Sequence, residues 1–272
     1  MAESSVLTPK EVSEALSAIA ERKAAASVWE QFFLAVLAGI YIGFGAIVAT
    51  VVTSGDTLDE GLRRFLGGSV FSVGLMLVLI PGSELFTGNI LMTTGFLSKR
   101  VRPFRILRNW VVVWLGNFAG AMLLAWVMSH TDQLVEGGVL RHVGERAVAI
   151  AERKLQLADT YWPCFLRGVL CNMLVCLAVI MAASARSVTG KILGIYFPIM
   201  TFVTCNFEHS IANMYFVPAG LMAAGQLGER FCEMMRGLGL VTLGNIVGGL
   251  SIILLHPRNQ QMLARLLRRR QA

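Results

Sequence analysis

Two apolar stretches, residues 66–96 and 192–224, are each interrupted near the middle by polar residues. Both stretches exceed the ~20 residues that an α-helix needs to cross a bilayer. The first interruption reads E-L-F-T-G-N from Glu84 to Asn89, and the second reads E-H-S-I-A-N from Glu208 to Asn213. Because glutamate, a small residue and asparagine recur at the same offsets, the pattern is typical of an inverted-repeat transporter or channel with its site between two broken helices.

The composition fits a membrane protein. Apolar residues make up 55% of the 272 residues, charged residues only 15%, and the mean hydropathy is +0.64. Because the basic residues lie between apolar spans, the net charge of +7 does not indicate nucleic-acid binding. No C-x-x-C pair occurs, and we interpret the cysteines as packing residues rather than metal ligands or disulfides. No metal or other cofactor is expected.

Six transmembrane spans are predicted, with spans two and five broken, at residues 32–52, 66–96, 110–128, 164–183, 192–224 and 238–255. A G-N-x-x-G pattern recurs in spans three and six, at residues 116–120 and 244–248. Spans one to three and four to six therefore read as two copies of one unit, and an odd number of spans per copy inverts the second copy. The predicted fold is an all-α polytopic membrane protein.

We divide the chain into an N-terminal helix (1–27), a channel domain (28–256, with repeats 28–130 and 164–256) and a basic tail (257–272). Thr8-Pro9-Lys10-Glu11 predicts a capping box at the start of the N-terminal helix. That helix either lies against the membrane domain or is a mobile element near a pore mouth.

Loop charges predict the orientation. Acid-free basic clusters follow spans two and four, and the tail after span six is arginine-rich: Lys99, Arg100, Arg102, Arg105, Arg108; Arg186, Lys191; Arg258, Arg265, Arg268, Arg269 and Arg270. The other connections mix acids, Asp56 among them, with bases. By the positive-inside rule the basic connections and both termini are cytoplasmic.

New half-helices are expected to start near Thr87 and near His209–Ser210. The first turn of each would leave N–H groups unpaired and carry a partial positive charge, which together form a donor centre suited to a compact anion. Glu84 and Glu208 could serve as acid–base groups, but we interpret them as acceptors for the backbone N–H groups that their own breaks free. Asn89, Asn117, Asn213 and Asn245 are expected to bond across helices or to the broken backbone.

His209 has two interpretations. A single histidine among apolar residues is usually a satisfied core residue. Its place at a break, beside a carboxylate and in a repeat-related position, favours a function instead, with Thr87 as a hydroxyl partner. The nearby Phe71, Leu75, Leu85 and Phe202 are packing residues or hydrophobic constrictions that exclude hydrated ions.

The sequence does not fit three other classes of membrane protein. A membrane protease needs a nucleophile–base pair or an H-E-x-x-H motif, and neither appears. A haem-bearing anchor of an oxidoreductase needs axial histidines at similar depth, whereas His130, His142 and His256 lie at span ends or in loops. A neutral-solute pore would carry a pair of N-P-A motifs, which is absent.

Five motifs, at residues 83–89, 116–120, 171–179, 207–214 and 244–249, together resemble the formate/nitrite transporter family of small-anion channels. The resemblance implies an aquaporin-like fold, a pentamer with one pore per protomer, and a bacterial inner-membrane location. Residues 214–218 and 184–187 are most similar to the formate branch, with nitrite or hydrosulfide as alternatives.

The resemblance also implies roles at matched positions. His209 is similar to the pore histidine of the family and Thr87 to its partner. Phe71, Leu75, Leu85, Val175 and Phe202 resemble two apolar slits, Asn172 the polar group between them, and Lys154 a vestibule lysine that attracts anions. His209 would then either donate a proton to the bound anion or hold it electrostatically, because an imidazole titrates near physiological pH.

Overall fold

The computed structural model describes residues 5–55 and 57–268, so Asp56, Arg269 and Arg270 of the charge argument lie outside the described residues. The helices are α1 (Pro9–Ala25), α2 (Val28–Val52), α3 (Glu60–Leu79), α4 (Phe86–Asn89), α5 (Thr93–Leu97), α6 (Pro103–Ser129), α7 (His142–Asp159), α8 (Trp162–Ser184), α9 (Val188–Thr204), α10 (Ser210–Ala223), α11 (Phe231–Leu255) and α12 (Pro257–Arg268). A two-stranded hairpin, β1 (Val135–Glu136) and β2 (Val139–Leu140), precedes α7.

Five of the described helices, α2, α3, α6, α8 and α11, are long and apolar enough to cross a membrane. The shorter apolar helices α9 and α10 together make up the broken fifth span. The expected all-α polytopic membrane protein is confirmed. At the chain start the predicted capping box is present, with the Thr8 and Glu11 side chains each bonding the other's backbone N–H.

The break in span two follows α3. Pro81 has no N–H to donate, and Gly82 has a φ of +91°, which glycine adopts readily. The rest of the span is not the single half-helix that the sequence predicted. A 3₁₀ turn separates α4 from α5, because the Thr93 and Thr94 hydroxyls bond carbonyls three residues earlier and compete with the α-helical ladder.

In span five a single helix, α10, follows the break. After α9 ends, Asn206 turns the chain with a φ of +54°, a left-handed conformation that asparagine tolerates. His209 is the N-cap of α10: its Nδ1 accepts the Ala212 backbone N–H at 3.1 Å. The helix start and the functional candidate are therefore the same residue.

In each repeat, a glycine lets two helices pack closely, and the two helix pairs are equivalent. A Cβ at Gly120 on α6 would overlap the Val36 carbonyl of α2, and a Cβ at Gly248 on α11 would overlap the Val169 carbonyl of α8. Only a residue without a side chain permits such close backbone approach. The repeated G-N-x-x-G pattern thus marks the same helix contact in both halves.

Residues 129–163 were predicted only as a polar connection, yet they contain the amphipathic helix α7. Its buried face consists of Gly144, Ala147, Ile150, Ala151, Leu155 and Ala158. This face packs on α10, where Gly220 lies against the Ala147 carbonyl. The spacing of these small and apolar residues is helical and was present in the sequence.

The segments that connect the transmembrane helices lie on two opposite faces of the molecule. On the α1 face, α1 and α12 both contact α5, and Val6 pairs with Ala185 in the α8–α9 link. On the opposite, α7 face, Arg146 of α7 donates to the Thr53 hydroxyl at 3.2 Å, and Arg230 pairs with Glu152. The connections predicted to share a side therefore meet one another.

Candidate functional site

Thr87 and His209 meet at the centre of the molecule. Thr87 Oγ1 lies 2.9 Å from His209 Nε2, and the two residues are 0% and 3% exposed. Thr87 is in the first turn of α4 and His209 caps α10, so each break contributes one partner. The inverted arrangement brings together two groups that are 122 positions apart in the chain.

The contacts of His209 define its tautomer. Because Nδ1 accepts the Ala212 N–H, the ring proton of the neutral imidazole sits on Nε2. Nε2–H then donates to Thr87 Oγ1. Protonating Nδ1 would give up the Ala212 bond, so the structure describes a neutral histidine.

Asn172 holds the backbone of Thr87. Its Nδ2 donates to the Thr87 carbonyl at 3.2 Å and to the Asn245 carbonyl at 2.7 Å. These two acceptors fix the orientation of the amide, and its Oδ1 is buried without a partner among the described residues. A buried acceptor without a partner is uncommon in native proteins.

Two asparagines satisfy the broken backbone in the same way. Asn117 Oδ1 accepts the Phe86 N–H at 2.9 Å, and its Nδ2 donates to the Glu84 carbonyl at 2.9 Å. Asn245 Oδ1 accepts the Ser210 N–H at 2.9 Å, and its Nδ2 donates to the Glu208 carbonyl at 2.9 Å. Each amide thus joins a freed donor to a freed acceptor across its own break.

The interpretation of Glu84 and Glu208 as backbone acceptors was therefore wrong. A carboxylate can only accept hydrogen bonds, whereas a break frees a donor and an acceptor together, so an amide serves both. The expected donor centre for an anion stays a prediction, and three of its N–H groups, those of Phe86, Ser210 and Ala212, already have protein acceptors.

The glutamates instead bind lysines from the amphipathic helices. Lys23 of α1 lies 3.0 Å from Glu84, whose other oxygen accepts from Asn89 at 2.5 Å. Lys154 of α7 lies 2.8 Å from Glu208. Asn213 donates to the same Glu208 oxygen at 2.8 Å.

A cavity of about 80 Å³ lies on the α7 face and reaches His209. Phe71 and Phe202 line it, with ring centroids 5.9 Å apart, and the Phe202 ring lies 5.7 Å from the imidazole. Lys154 lines the same cavity and lies over the Phe216 ring at 5.5 Å. Cationic residues, aromatic rings and His209 thus line one cavity.

A second cavity, of about 290 Å³, lies on the α1 face. Leu85, Asn89 and Lys23 line it, and α1 covers it with its apolar face. Leu75 and Val175, the remaining predicted slit residues, are buried in the core and line neither cavity. The two cavities therefore flank the Thr87–His209 pair from opposite faces.

The other histidines of the described residues do not lie at the depth of His209. His130, His142 and His256 are exposed at helix ends, whereas His209 is buried. The described residues contain no group of three His, Cys, Asp or Glu side chains that could hold a metal ion. A haem-bearing anchor with two axial histidines therefore has no donor set in the described chain.

Sequence reasoning missed Lys23. The residue is polar and sits near the end of α1, where a lysine normally complements the helix dipole. Its equivalence to Lys154 becomes visible only when each amphipathic helix is counted as part of the repeat that follows it. The four arginines that line the α7-face cavity were also not singled out as site residues: Arg63, Arg64, Arg146 and Arg153.

Comparison with known proteins gives one consistent group. A family model described as Formate/nitrite transporter matches residues 10–257. The "Probable formate transporter" of Methanothermobacter thermautotrophicus is 42% identical over 259 residues, covering 90% of this chain and 94% of that protein. "Formate channel FocA" of Haemophilus influenzae is 34% identical, covering 89% and 90%.

Solved structures agree with the sequence comparisons. A structure described as "Pentameric formate channel with formate bound" superposes with a TM-score of 0.75 at 37% identity, covering 88% of this chain and 98% of that one. A structure described as "FNT family ion channel" superposes with a TM-score of 0.77 at 27% identity, covering 93% and 98%.

Proposed function

The chain belongs to the formate/nitrite transporter family, and from this premise we propose that it carries small monovalent weak-acid anions, formate first, across the cytoplasmic membrane. The observation that carries the proposal is the buried Thr87–His209 pair between two cavities on opposite faces. Formate comes from relatives named as formate channels or transporters. The anion passes without chemical conversion, so we propose a transporter and not an enzyme.

The residues next to His209 on the α7 side are apolar, so the passage of a bare anion has a high free-energy cost. Phe71 and Phe202 offer no hydrogen-bond donors, and desolvating an isolated charge in such surroundings is costly. A weak acid avoids this cost by crossing as its neutral form. We therefore assign the apolar residues Phe71, Leu75, Leu85, Val175 and Phe202 to the constrictions and Asn172 to the polar group between them.

His209 is assigned the proton transfer. At rest it is neutral, because Nδ1 accepts the Ala212 N–H. A neutral imidazole is too weak an acid to protonate formate, so His209 gains a proton from the α7-face cavity while the anion is bound, gives one proton to the anion and returns to the neutral state. A permanently charged imidazolium that merely holds the anion would instead lose the Ala212 bond throughout. One proton then accompanies one anion, the neutral acid forms beside His209, and no net charge crosses.

We propose the assembly from a similar solved structure and the orientation from the loop charges. We propose a homopentamer, because the similar formate channel is described as pentameric. Each protomer carries its own pathway, because both breaks belong to one chain. The α1 face, with both termini, is cytoplasmic by the positive-inside rule, and the α7 face is external.

The function is tested by uptake into proteoliposomes of formate, nitrite, hydrosulfide, acetate and chloride, compared side by side. The proposal expects formate to enter fastest and chloride, the anion of a strong acid, to be excluded. Empty liposomes give the leak of neutral acids. Nitrite or hydrosulfide as the fastest solute would reassign the substrate within the family, and chloride flux equal to formate flux would contradict weak-acid transport.

A further inference from the structure

The turn that follows α9 holds a non-glycine residue in the left-handed region. Asn206 has a φ of +54° and lies two residues before Glu208. The equivalent residue of the first break, two before Glu84, is Gly82, with a φ of +91°. Glycine adopts such angles at little cost, whereas the Cβ of asparagine is crowded there. The turn in span five is therefore under more conformational strain than its counterpart in span two.

This turn determines how α9 ends. The Phe207 N–H donates to the Phe202 carbonyl at 2.9 Å, and the Asn206 N–H donates to the Val203 carbonyl at 3.0 Å. The two bonds form a Schellman motif, which depends on a left-handed residue just after the helix. The first break closes with an equivalent long bond over residues 78–83. The conformation of Asn206 therefore holds the last turn of α9, which carries Phe202.

A side chain from the other repeat holds Asn206 in place. In the amide orientation that satisfies both groups, Asn206 Oδ1 accepts from Nη1 and Nε of Arg64 on α3, each at 3.1 Å. Arg64 Nε also donates to Glu60 at 2.6 Å, which fixes the guanidinium from its other side. One turn further along α3, a Cβ at Gly68 would meet the Met200 carbonyl, so α3 and α9 lie close together here. Arg64 thus joins repeat one to the break of repeat two.

We propose that Arg64 is a positioning residue for the aromatic constriction on the α7 side. By holding Asn206 in the left-handed turn, Arg64 fixes the end of α9 and with it Phe202. The Phe202 ring lies 5.9 Å from that of Phe71 and 5.7 Å from the imidazole of His209. Without the Arg64–Asn206 contact the last turn of α9 relaxes, and the Phe202 ring moves away from Phe71. The constriction then admits larger solutes.

The inference rests on the proposed transport of formate and makes a separate prediction about size selectivity. Arg64→Lys keeps the positive charge but loses the planar pair of N–H donors, so it removes the contact with Asn206. The Arg64 side chain is 41% exposed, and hydrogen bonds at such positions contribute little to overall stability. Loss of the contact should therefore change which carboxylates pass while leaving the melting temperature almost unchanged.

The experiment measures the ratio of propionate to formate uptake in proteoliposomes, per folded protein and after subtraction of the leak of empty vesicles. Both solutes carry one negative charge, so a change in anion attraction cancels in the ratio. Asn206→Ala and Asn206→Gly both remove the amide, but only glycine favours the left-handed turn. They test the turn even where Arg64→Lys fails to fold. Arg141→Lys is the matched control, because Arg141 is exposed on the same face and pairs with Glu136 at 2.6 Å.

Arg64→Lys and Asn206→Ala are each expected to raise the ratio at least about twofold, the scale of one lost hydrogen bond to a charged group. Asn206→Gly should keep the wild-type ratio, alone and combined with Arg64→Lys, and Arg141→Lys should keep it as well. An unchanged ratio in Arg64→Lys or Asn206→Ala, or a raised ratio in the combined variant, overturns the inference. Absence of formate flux in the wild type would instead overturn the proposed function.

Discussion

The two ring nitrogens of His209 have different roles. Nδ1 accepts the Ala212 N–H and so belongs to the helix cap, whereas Nε2 faces Thr87 at 2.9 Å. A cap that uses the ring itself couples the protonation of the histidine to the integrity of α10. Charging the ring in the absence of an anion therefore costs a hydrogen bond, which keeps the central group neutral between transport events.

Thr87→Val tests this arrangement at one atom. Valine keeps the shape of threonine but leaves Nε2–H of His209 buried without an acceptor, at a cost of about 1–3 kcal/mol in unfolding free energy. Formate uptake per folded protein should fall sharply. Thr87→Ser, which retains the hydroxyl, should keep most of the uptake. Wild-type uptake in Thr87→Val, measured alongside the melting temperature, would mean that the hydroxyl has no part in transport.

At the level of helices, the site depends on close packing away from it. Asn117 on α6 reaches the break after α3 because Gly120 allows α6 to approach α2, and Asn245 on α11 does the same for α10. The asparagine and the glycine of each G-N-x-x-G pattern thus act together: the glycine sets the distance and the asparagine completes the backbone.

Gly120→Ala should therefore destabilise the protein, by about 1–3 kcal/mol or more, because its Cβ meets the Val36 backbone carbonyl and cannot be accommodated by a rotamer change. Gly239→Ala is the matched control on α11. No atom lies within 4 Å of its added Cβ, so it should be neutral or slightly stabilising. Thermal unfolding in detergent compares the two, and equal melting temperatures would refute the close-contact role.

Much of the helix arrangement could be predicted from the sequence. Both breaks, the capping box and the repeated glycine contact follow from residue type and spacing. The acceptors of the freed N–H groups were not predictable, because they come from α6 and α11 and depend on how the helices pack in space. The helix α7 was missed because its polar composition outweighed the helical spacing of Ala147, Ile150 and Ala151.

The whole molecule has a larger repeat than the sequence indicated. Lys23 on α1 pairs with Glu84, and Lys154 on α7 pairs with Glu208, so an amphipathic helix precedes the three spans of each half. Each half thus brings its own lysine to its own break. The family indicated by the motifs is confirmed by the match over residues 10–257 and by two solved structures with TM-scores of 0.75 and 0.77.

The central claim is that His209 passes a proton with each anion, so that transport is electroneutral. Formate flux and membrane current are measured together in proteoliposomes at pH 5.5 and 7.5 for the wild type and His209→Asn. The claim predicts wild-type uptake that is faster at low outside pH with almost no current, and loss of that pH response in a folded His209→Asn. A formate current that matches the flux and persists at high pH, or wild-type pH dependence in His209→Asn, would contradict it.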